Sequence, residues 1–207
     1  TINAESTGSG AAGSVAVTAV QALQLDNGSI NFSSVTGGDA GTITAAVESV
    51  TISNGGQISS SVAGTGRGGT VQLAVSGDAD LSGRASDGTQ SGLYSATAVT
   101  GAGGAIDVSA QNITLADGAT INAESTGSGD AGSVAVAAVG TVELDNASII
   151  TAAANDDGGN IKVTATDLVY LRNSEISAAV GGGLGNGGNV SIDPEFVVLS
   201  GSRLLAS

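Results

Sequence analysis

Short stretches in which apolar and polar residues alternate recur along the whole chain. One stretch reads Val15-Ala16-Val17, and a related one further on reads Ile43-Thr44-Ala45. Alternation with a period of two is typical of a β-strand that buries one face. Helical spacing is absent and Gly or Asn interrupts every repeat, so the pattern predicts an all-β protein without helices.

The inward apolar positions fall into three columns that recur about every 28 residues. The first column is Ile2, Ile30, Ile58, Ala85, Ile121, Ile149, Ile176 and Leu204. The second is Val15, Ile43, Val71, Ile106, Val134, Ile161 and Val190. The third is Leu23, Val50, Ala79, Ile113, Val142, Val169 and Val197. Three columns in step predict a parallel β-solenoid of about seven coils, with three short strands in each coil.

The same single insertion lengthens one step in each of the three columns, and the columns place it between Ala85 and Ile106. The sequence therefore predicts a single β-solenoid segment over residues 1–207, with an inserted loop of about eight residues within 86–104. A longer repeat supports the same period. Residues 1–17 and 120–136 are identical except that Ala11 is replaced by Asp130.

Turn residues occur at fixed places in each coil. The third strand is followed by residues such as Asn27-Gly28 and Asn54-Gly55, which tolerate positive φ. One Gly precedes the second strand in every coil, and this suggests a corner whose backbone conformation or clearance excludes a Cβ. The members of this corner are Gly13, Gly41, Gly69, Gly104, Gly132, Gly159 and Gly188.

Composition and charge narrow the range of functions. The chain has 34 Gly and 2% aromatic residues, which suits a thin core better than a round one. A net charge of −14 argues against nucleic-acid binding and against adsorption to anionic lipids. Without Cys no disulfide framework is expected, and we expect neither a signal peptide nor a membrane-spanning run within these residues. We expect a segment of a longer protein.

The repeat resembles those of a known family. Residues 113–136 (ITLADGATINAESTGSGDAGSVAV) and 50–75 (VTISNGGQISSSVAGTGRGGTVQLAV) are similar to repeats of filamentous-haemagglutinin-like exoproteins of bacterial two-partner secretion. The resemblance covers essentially the whole chain. It implies a right-handed parallel β-helix, export by an outer-membrane barrel transporter and a secreted or cell-surface adhesive fibre. It brings no catalytic residue with it.

The preferred hypothesis is a non-enzymatic structural or adhesive rod whose partners are other solenoid segments or extracellular carbohydrate. A carbohydrate-active β-helix enzyme is the first alternative, with Asp107 as the residue to test. However, no adjacent coils place two carboxylates on the outward row of the second strand, and Thr114 separates Asp80 from Glu143. The second alternative is end-to-end polymerisation, because both ends of a solenoid leave unpaired strands.

Candidate contact residues are few. Leu93 and Tyr94 fall within the predicted inserted loop, where they could contact a sugar or a partner. No cofactor is predicted, although turns rich in carboxylates could bind calcium. The candidate calcium ligands are Asp78 and Asp80, and Asp156 and Asp157 near Asn155 and Asn160. A face of small residues that includes Ser59, Ser61, Ser177 and Ala179 could pack against another solenoid.

Asn residues recur at equivalent turns in consecutive coils, as in the pairs Asn27 and Asn54, and Asn146 and Asn173. Stacked Asn side chains can hydrogen-bond along a solenoid as a ladder. Each Asn also favours its own turn, and both interpretations can hold together.

Overall fold

The computed structural model describes residues 1–18, 21–31, 33–34 and 36–207, and these residues form strands and no helix. In chain order the strands are β1 (Ile2–Asn3), β2 (Ser14–Thr18), β3 (Ala22–Asp26), β4 (Ser29–Asn31), β5 (Thr42–Val47), β6 (Ser49–Ser53), β7 (Gln57–Ser59), β8 (Thr70–Val75), β9 (Ala79–Ser82), β10 (Gly92–Tyr94), β11 (Ala105–Ala110), β12 (Ile113–Ala116), β13 (Thr120–Asn122), β14 (Ser133–Ala138), β15 (Thr141–Asp145), β16 (Ser148–Ile150), β17 (Ile161–Ala165), β18 (Leu168–Arg172), β19 (Glu175–Ser177), β20 (Val190–Asp193), β21 (Phe196–Ser200) and β22 (Arg203–Leu205). Within these ranges no helix has the length and hydropathy needed to cross a membrane.

Three parallel sheets run along the molecule. The first sheet has the order β1-β4-β7-β10-β13-β16-β19-β22, the second β2-β5-β8-β11-β14-β17-β20 and the third β3-β6-β9-β12-β15-β18-β21. Each coil contributes one strand to each sheet, so coil 1 comprises β1–β3 and coil 7 comprises β19–β21. Val15 pairs with Ile43, and Ile43 with Val71. The β-solenoid of about seven turns is therefore confirmed.

The core is a thin stack of aliphatic side chains. Within each strand alternate residues point inward, as in β6, where Val50 and Ile52 are completely buried and their neighbours are partly exposed. Register pairing places each inward residue against its equivalent in the next coil, for example Val142 against Val169. Because no single coil can bury its inward face alone, the stack of coils is the folding unit.

One column of the predicted alignment is wrong at a single position. Leu93, and not Ala85, pairs with Ile58 on one side and with Ile121 on the other. Leu93 is 0% exposed. The inserted residues are therefore Arg84–Gln90, which form a small hairpin after β9, and β10 resumes the regular coil. The predicted range 86–104 lay too far along the chain because Ala85 is apolar and near the expected spacing.

The glycine corner is explained by clearance between coils. A Cβ on Gly132 would overlap the carbonyl oxygen of Gly104, and one on Gly104 would overlap that of Gly69. Neither glycine has a left-handed φ. Parallel coils lie only about 4.8 Å apart, so a side chain directed at the neighbouring backbone cannot be accommodated. The prediction of a corner that excludes a Cβ is confirmed for every corner glycine except Gly13, where a Cβ would have no atom within 4 Å.

The turn after the third strand uses a left-handed residue in every coil. Asn146 has a φ of 53° and Asp117 a φ of 52°, and Gly83 occupies the same place with a φ of 80°. Asn and Asp adopt this conformation more readily than other residues with side chains. Asn54 donates its side-chain amide to Oδ1 of Asp26 at 2.6 Å. Its partner is therefore not the Asn of the adjacent coil that the ladder prediction named.

Candidate contact site at the hairpin

The Arg84–Gln90 hairpin is the largest departure from the regular coil. Arg84 and Gln90 form an antiparallel bridge, and the amide of Ala85 donates to the carbonyl of Thr89 at 2.8 Å. The amide of Gly88 donates back to the carbonyl of Ala85 at 3.0 Å, and its φ of 90° turns the chain at the tip. The hairpin is thus an ordered protrusion with its own hydrogen bonds.

The hairpin packs against two glycines, one in each neighbouring coil. A Cβ on Gly55 would lie 2.6 Å from the Cβ of Ala85, and a Cβ on Gly118 would overlap the guanidinium of Arg84. In addition, the side-chain amide of Gln90 donates to the carbonyl of Gly118 at 2.7 Å. The hairpin is therefore held against the coil before it and against the coil after it.

The tip of the hairpin is exposed. Ser86, Asp87 and Gly88 are all open to solvent. The Asp87 carboxylate accepts a hydrogen bond from the amide of Thr89 at 2.9 Å, and this bond lowers the pKa of Asp87. The tip thus presents a hydroxyl and a carboxylate on a fixed backbone, a combination that can accept and donate hydrogen bonds to a polar partner.

Tyr94 lies at the base of the hairpin rather than within it. It belongs to β10, where its half-buried side chain points outward, and its hydroxyl donates to the carbonyl of Gln90 at 3.0 Å. Burial raises the pKa of Tyr94 to about 12. The side-chain amide of Gln57 donates to the same carbonyl at 3.3 Å. Of the two predicted contact residues, Leu93 is therefore in the core and Tyr94 supports the hairpin.

The acidic residues considered for catalysis are spaced as the sequence predicted. Asp107 pairs with Gln72 in one neighbouring strand and with Ala135 in the other. On the third sheet Thr114 pairs with Asp80 on one side and with Glu143 on the other, so the two carboxylates lie two coils apart. A shallow depression of about 460 Å³ over the second sheet has Asp107 in its lining, together with mainly Ala, Thr and Ser side chains.

Three of the candidate calcium ligands, Asp78, Asp157 and Asn160, accept hydrogen bonds from other residues of the protein. Oδ1 of Asp78 accepts the side-chain amide of Asn112 at 2.9 Å, and Oδ1 of Asp157 accepts the backbone amide of Asn186 at 2.7 Å. Oδ1 of Asn160 accepts the side-chain amide of Asn189 at 2.9 Å. Among the residues described, no group of three or more His, Cys, Asp or Glu could hold a metal ion.

Asp157 belongs to a recurring contact that we call the carboxylate staple, which is made by Asp39, Asp130 and Asp157. In each case Oδ1 accepts the backbone amide of the equivalent residue in the next coil. The distances are 2.8 Å from Asp39 to Arg67, 3.2 Å from Asp130 to Asp157 and 2.7 Å from Asp157 to Asn186. Charge-assisted bonds of this type are stronger than neutral ones. The staples therefore connect coils through their loops.

Sequence reasoning predicted an insertion but misplaced it, although a signal for its position was present. The first and second columns are usually 13 residues apart, as from Ile121 to Val134. That spacing selects Leu93 as the partner of Ile106, whereas Ala85 would be 21 residues away.

The chain was compared with protein-family models, with curated proteins and with solved structures, and it matches none of them.

Proposed function

We propose that this chain is a rigid structural and adhesive segment of an extracellular bacterial surface fibre. The observation that carries the proposal is the uninterrupted parallel pairing of three sheets through every coil. A stack of this kind has a length set by the number of its coils, about 34 Å for seven coils at 4.8 Å each. It is suited to holding a contact element at a fixed distance from its point of attachment.

The side-chain contacts between coils support a rigid rod. Carboxylate staples connect adjacent loops, and the Arg172 guanidinium forms a two-pronged ion pair with Asp145 of the preceding coil. Arg203 makes a single contact of 2.9 Å with the carboxylate of Glu175 in the preceding coil. The resemblance of residues 50–75 and 113–136 to filamentous-haemagglutinin-like repeats supports export to the cell surface.

The hairpin is the element that this rod would display. It protrudes from a turn, its backbone is ordered, and its tip carries exposed polar groups at Ser86 and Asp87. Insertions on one face of a repeat protein are common sites of binding. Extracellular carbohydrate fits the chemistry of the tip, because hydroxyls and carboxylates can exchange hydrogen bonds with sugar hydroxyls.

An attachment assay with a matched variant tests the proposal. The variant lacks residues 84–90, so that Gly83 is joined directly to Ser91. Beads coated with either protein are applied to bacterial cells and to purified surface polysaccharide. We expect the unaltered chain to attach and the variant to lose most of this attachment while keeping its circular dichroism spectrum. Equal attachment of both proteins contradicts the role of the hairpin, and no attachment by either contradicts the adhesive role.

End-to-end polymerisation is a second candidate, and exposed strand edges favour it. Within the residues that the structure describes, β20 and β21 each pair on one side only, as do β2 and β3 at the opposite end. An incoming copy that places β2 on β20 would require its β1 to occupy the position of β22. We therefore expect fibres in electron micrographs to become more frequent when residues 203–207 are removed. Dispersed rods from both chains would contradict polymerisation.

A further inference from the structure

Four of the turns that follow the third sheet contain an asparagine in the left-handed conformation. The φ angles are 48° at Asn27, 53° at Asn54, 53° at Asn146 and 49° at Asn173. All four residues are exposed to solvent. Since they share one backbone conformation and one degree of exposure, a difference in their chemical reactivity must come from the groups around them.

The residue after the asparagine usually donates its amide to a serine hydroxyl in the following coil. The amide of Ala147 donates to Oγ of Ser174 at 3.1 Å, and the amide of Ser174 donates to Oγ of Ser202 at 3.1 Å. After Asn54, the amide of Gly55 donates to Oγ of Ser91 at 2.9 Å. The following coil therefore holds this amide in three of the four turns.

The amide of Gly28, which follows Asn27, lacks this acceptor. Ser29 pairs with Gln57, so the residue opposite Gly28 in coil 2 is Gly56, which has no hydroxyl. A Cβ on Gly56 would overlap the carbonyl oxygen of Leu25, and a serine cannot take its place. Among the described residues the Gly28 amide has no other acceptor. This difference is set by the following coil and does not depend on what precedes β1.

We propose that Asn27–Gly28 is a site of spontaneous deamidation. The nitrogen of Gly28 attacks Cγ of Asn27, the bond from Cγ to Nδ2 breaks, and Nδ2 leaves as ammonia with the amide proton of Gly28. The product is a succinimide ring. Water then opens the ring at Cγ to give aspartate, or at the main-chain carbonyl to give isoaspartate. Glycine favours the attack, because it has no Cβ beside the nitrogen and its backbone rotates freely.

The pair Asn54–Gly55 has the same two residues but is protected. The attack would first have to break the hydrogen bond from the Gly55 amide to Ser91 and the bond that holds the Asn54 side chain on Asp26 at 2.6 Å. Gly55 is also buried beneath the hairpin, where its Cβ position lies 2.6 Å from the Cβ of Ala85. Breaking a hydrogen bond to a buried amide should by itself slow the reaction about tenfold.

The third Asn-Gly pair of the chain is Asn186–Gly187. The backbone amide of Asn186 donates to Oδ1 of Asp157 at 2.7 Å, and its side-chain amide donates to the same oxygen at 3.3 Å. Because the side chain is held, we expect Asn186 to react more slowly than Asn27. The proposal goes beyond the proposed function, since it requires neither a fibre nor a ligand.

Incubation of the folded chain at mildly alkaline pH, followed by digestion after glutamate, tests the site. The three Asn-Gly pairs then fall into separate peptides, 6–48, 49–124 and 176–195, in which mass spectrometry locates the deamidated residue. We expect Asn27 to react at least about tenfold faster than Asn54 in the folded chain. In urea the two rates should agree. Equal rates in the folded chain, or a faster reaction at Asn54 or Asn186, would overturn the proposal.

A variant tests whether the amide hydrogen bond is the cause. Ser91→Ala removes the acceptor of the Gly55 amide and should raise the rate at Asn54 several-fold without changing the rate at Asn27. Ser59→Ala is the control and should change neither rate, because the hydroxyl of Ser59 donates to Ser61. An unchanged rate at Asn54 in Ser91→Ala that keeps its circular dichroism spectrum would contradict protection by the hydrogen bond. If Ser91→Ala does not fold, the comparison of the unaltered chain with and without urea still decides the proposal.

Discussion

The amide nitrogen of Ser91 lies 3.0 Å from the carbonyl oxygen of Gly83, and this hydrogen bond joins the two ends of the hairpin across its neck. In coil 7 the equivalent residues, Gly201 and Ser202, follow each other directly in the chain. Gly83 and Gly201 both have positive φ, 80° and 62°. The hairpin is therefore an addition to a turn that is complete without it.

Removing residues 84–90 should leave the solenoid folded, because Gly83 and Ser91 can then be joined as Gly201 and Ser202 are. We expect the free energy of unfolding to change by less than about 2 kcal/mol, since the loss of hairpin contacts is partly offset by a shorter loop. Urea unfolding followed by circular dichroism measures this change. A chain that no longer folds would contradict the independence of the turn.

Leu93→Ala should destabilise the protein strongly, because it leaves a cavity in the first column between Ile58 and Ile121. We expect a loss of about 2–5 kcal/mol in the free energy of unfolding. Val139→Ala is the control, because Val139 is 63% exposed and its truncation should cost less than about 0.5 kcal/mol. Equal effects of the two changes in urea unfolding would place Leu93 outside the core.

The regular part of the fold could be predicted from the sequence, because burial on one face imposes a period that three columns report independently. The pairing of Val15 with Ile43 and Val71 is an example. The hairpin could not be placed as readily. Its residues carry no periodic apolar pattern, and Ala85 is small and apolar enough to substitute for Leu93 in an alignment that considers one column at a time.

Gly132→Ala should be much more destabilising than Gly13→Ala, although the two residues occupy the same corner. A Cβ on Gly132 would overlap the carbonyl oxygen of Gly104, whereas one on Gly13 would have no atom within 4 Å. We expect a loss of more than about 3 kcal/mol at Gly132 and a change of less than about 1 kcal/mol at Gly13. Thermal unfolding of both variants measures the difference. Similar melting temperatures would contradict the clearance explanation.

Ionisation of Tyr94 should weaken the fold at high pH. Burial raises its pKa from the ordinary 10.0 to about 12, so the folded state favours the protonated hydroxyl. The resulting stability is fully present below pH 10 and is lost as the pH rises through about 12. Since the side chain is only half-buried, we expect a loss of about 1–2 kcal/mol between about pH 9 and about pH 12.

Urea unfolding at several pH values measures this loss, and Tyr94→Phe is the matched variant. The phenylalanine keeps the ring and removes the proton, so its free energy of unfolding should fall less over the same range. If the two proteins lose stability in parallel, ionisation of the buried Tyr94 hydroxyl is not the cause.

Features that depend on neighbours in space were less accessible from the sequence. The acidic residues Asp78 and Asp157 were interpreted as possible calcium ligands, because their partners, Asn112 and Asn186, are about 30 residues away in the chain. The column period alone would have placed each pair in adjacent coils. The period does not show which atoms of the two residues form the hydrogen bond.

The carboxylate staples have a direction. In every case the acceptor belongs to the earlier coil and the amide donor to the later one, as with Asp39 and Arg67. A completed turn therefore already presents a charged acceptor to the segment that follows it. For a polypeptide that emerges amino terminus first, folding can advance one rung at a time, with each finished rung serving as the template on which the next is laid down.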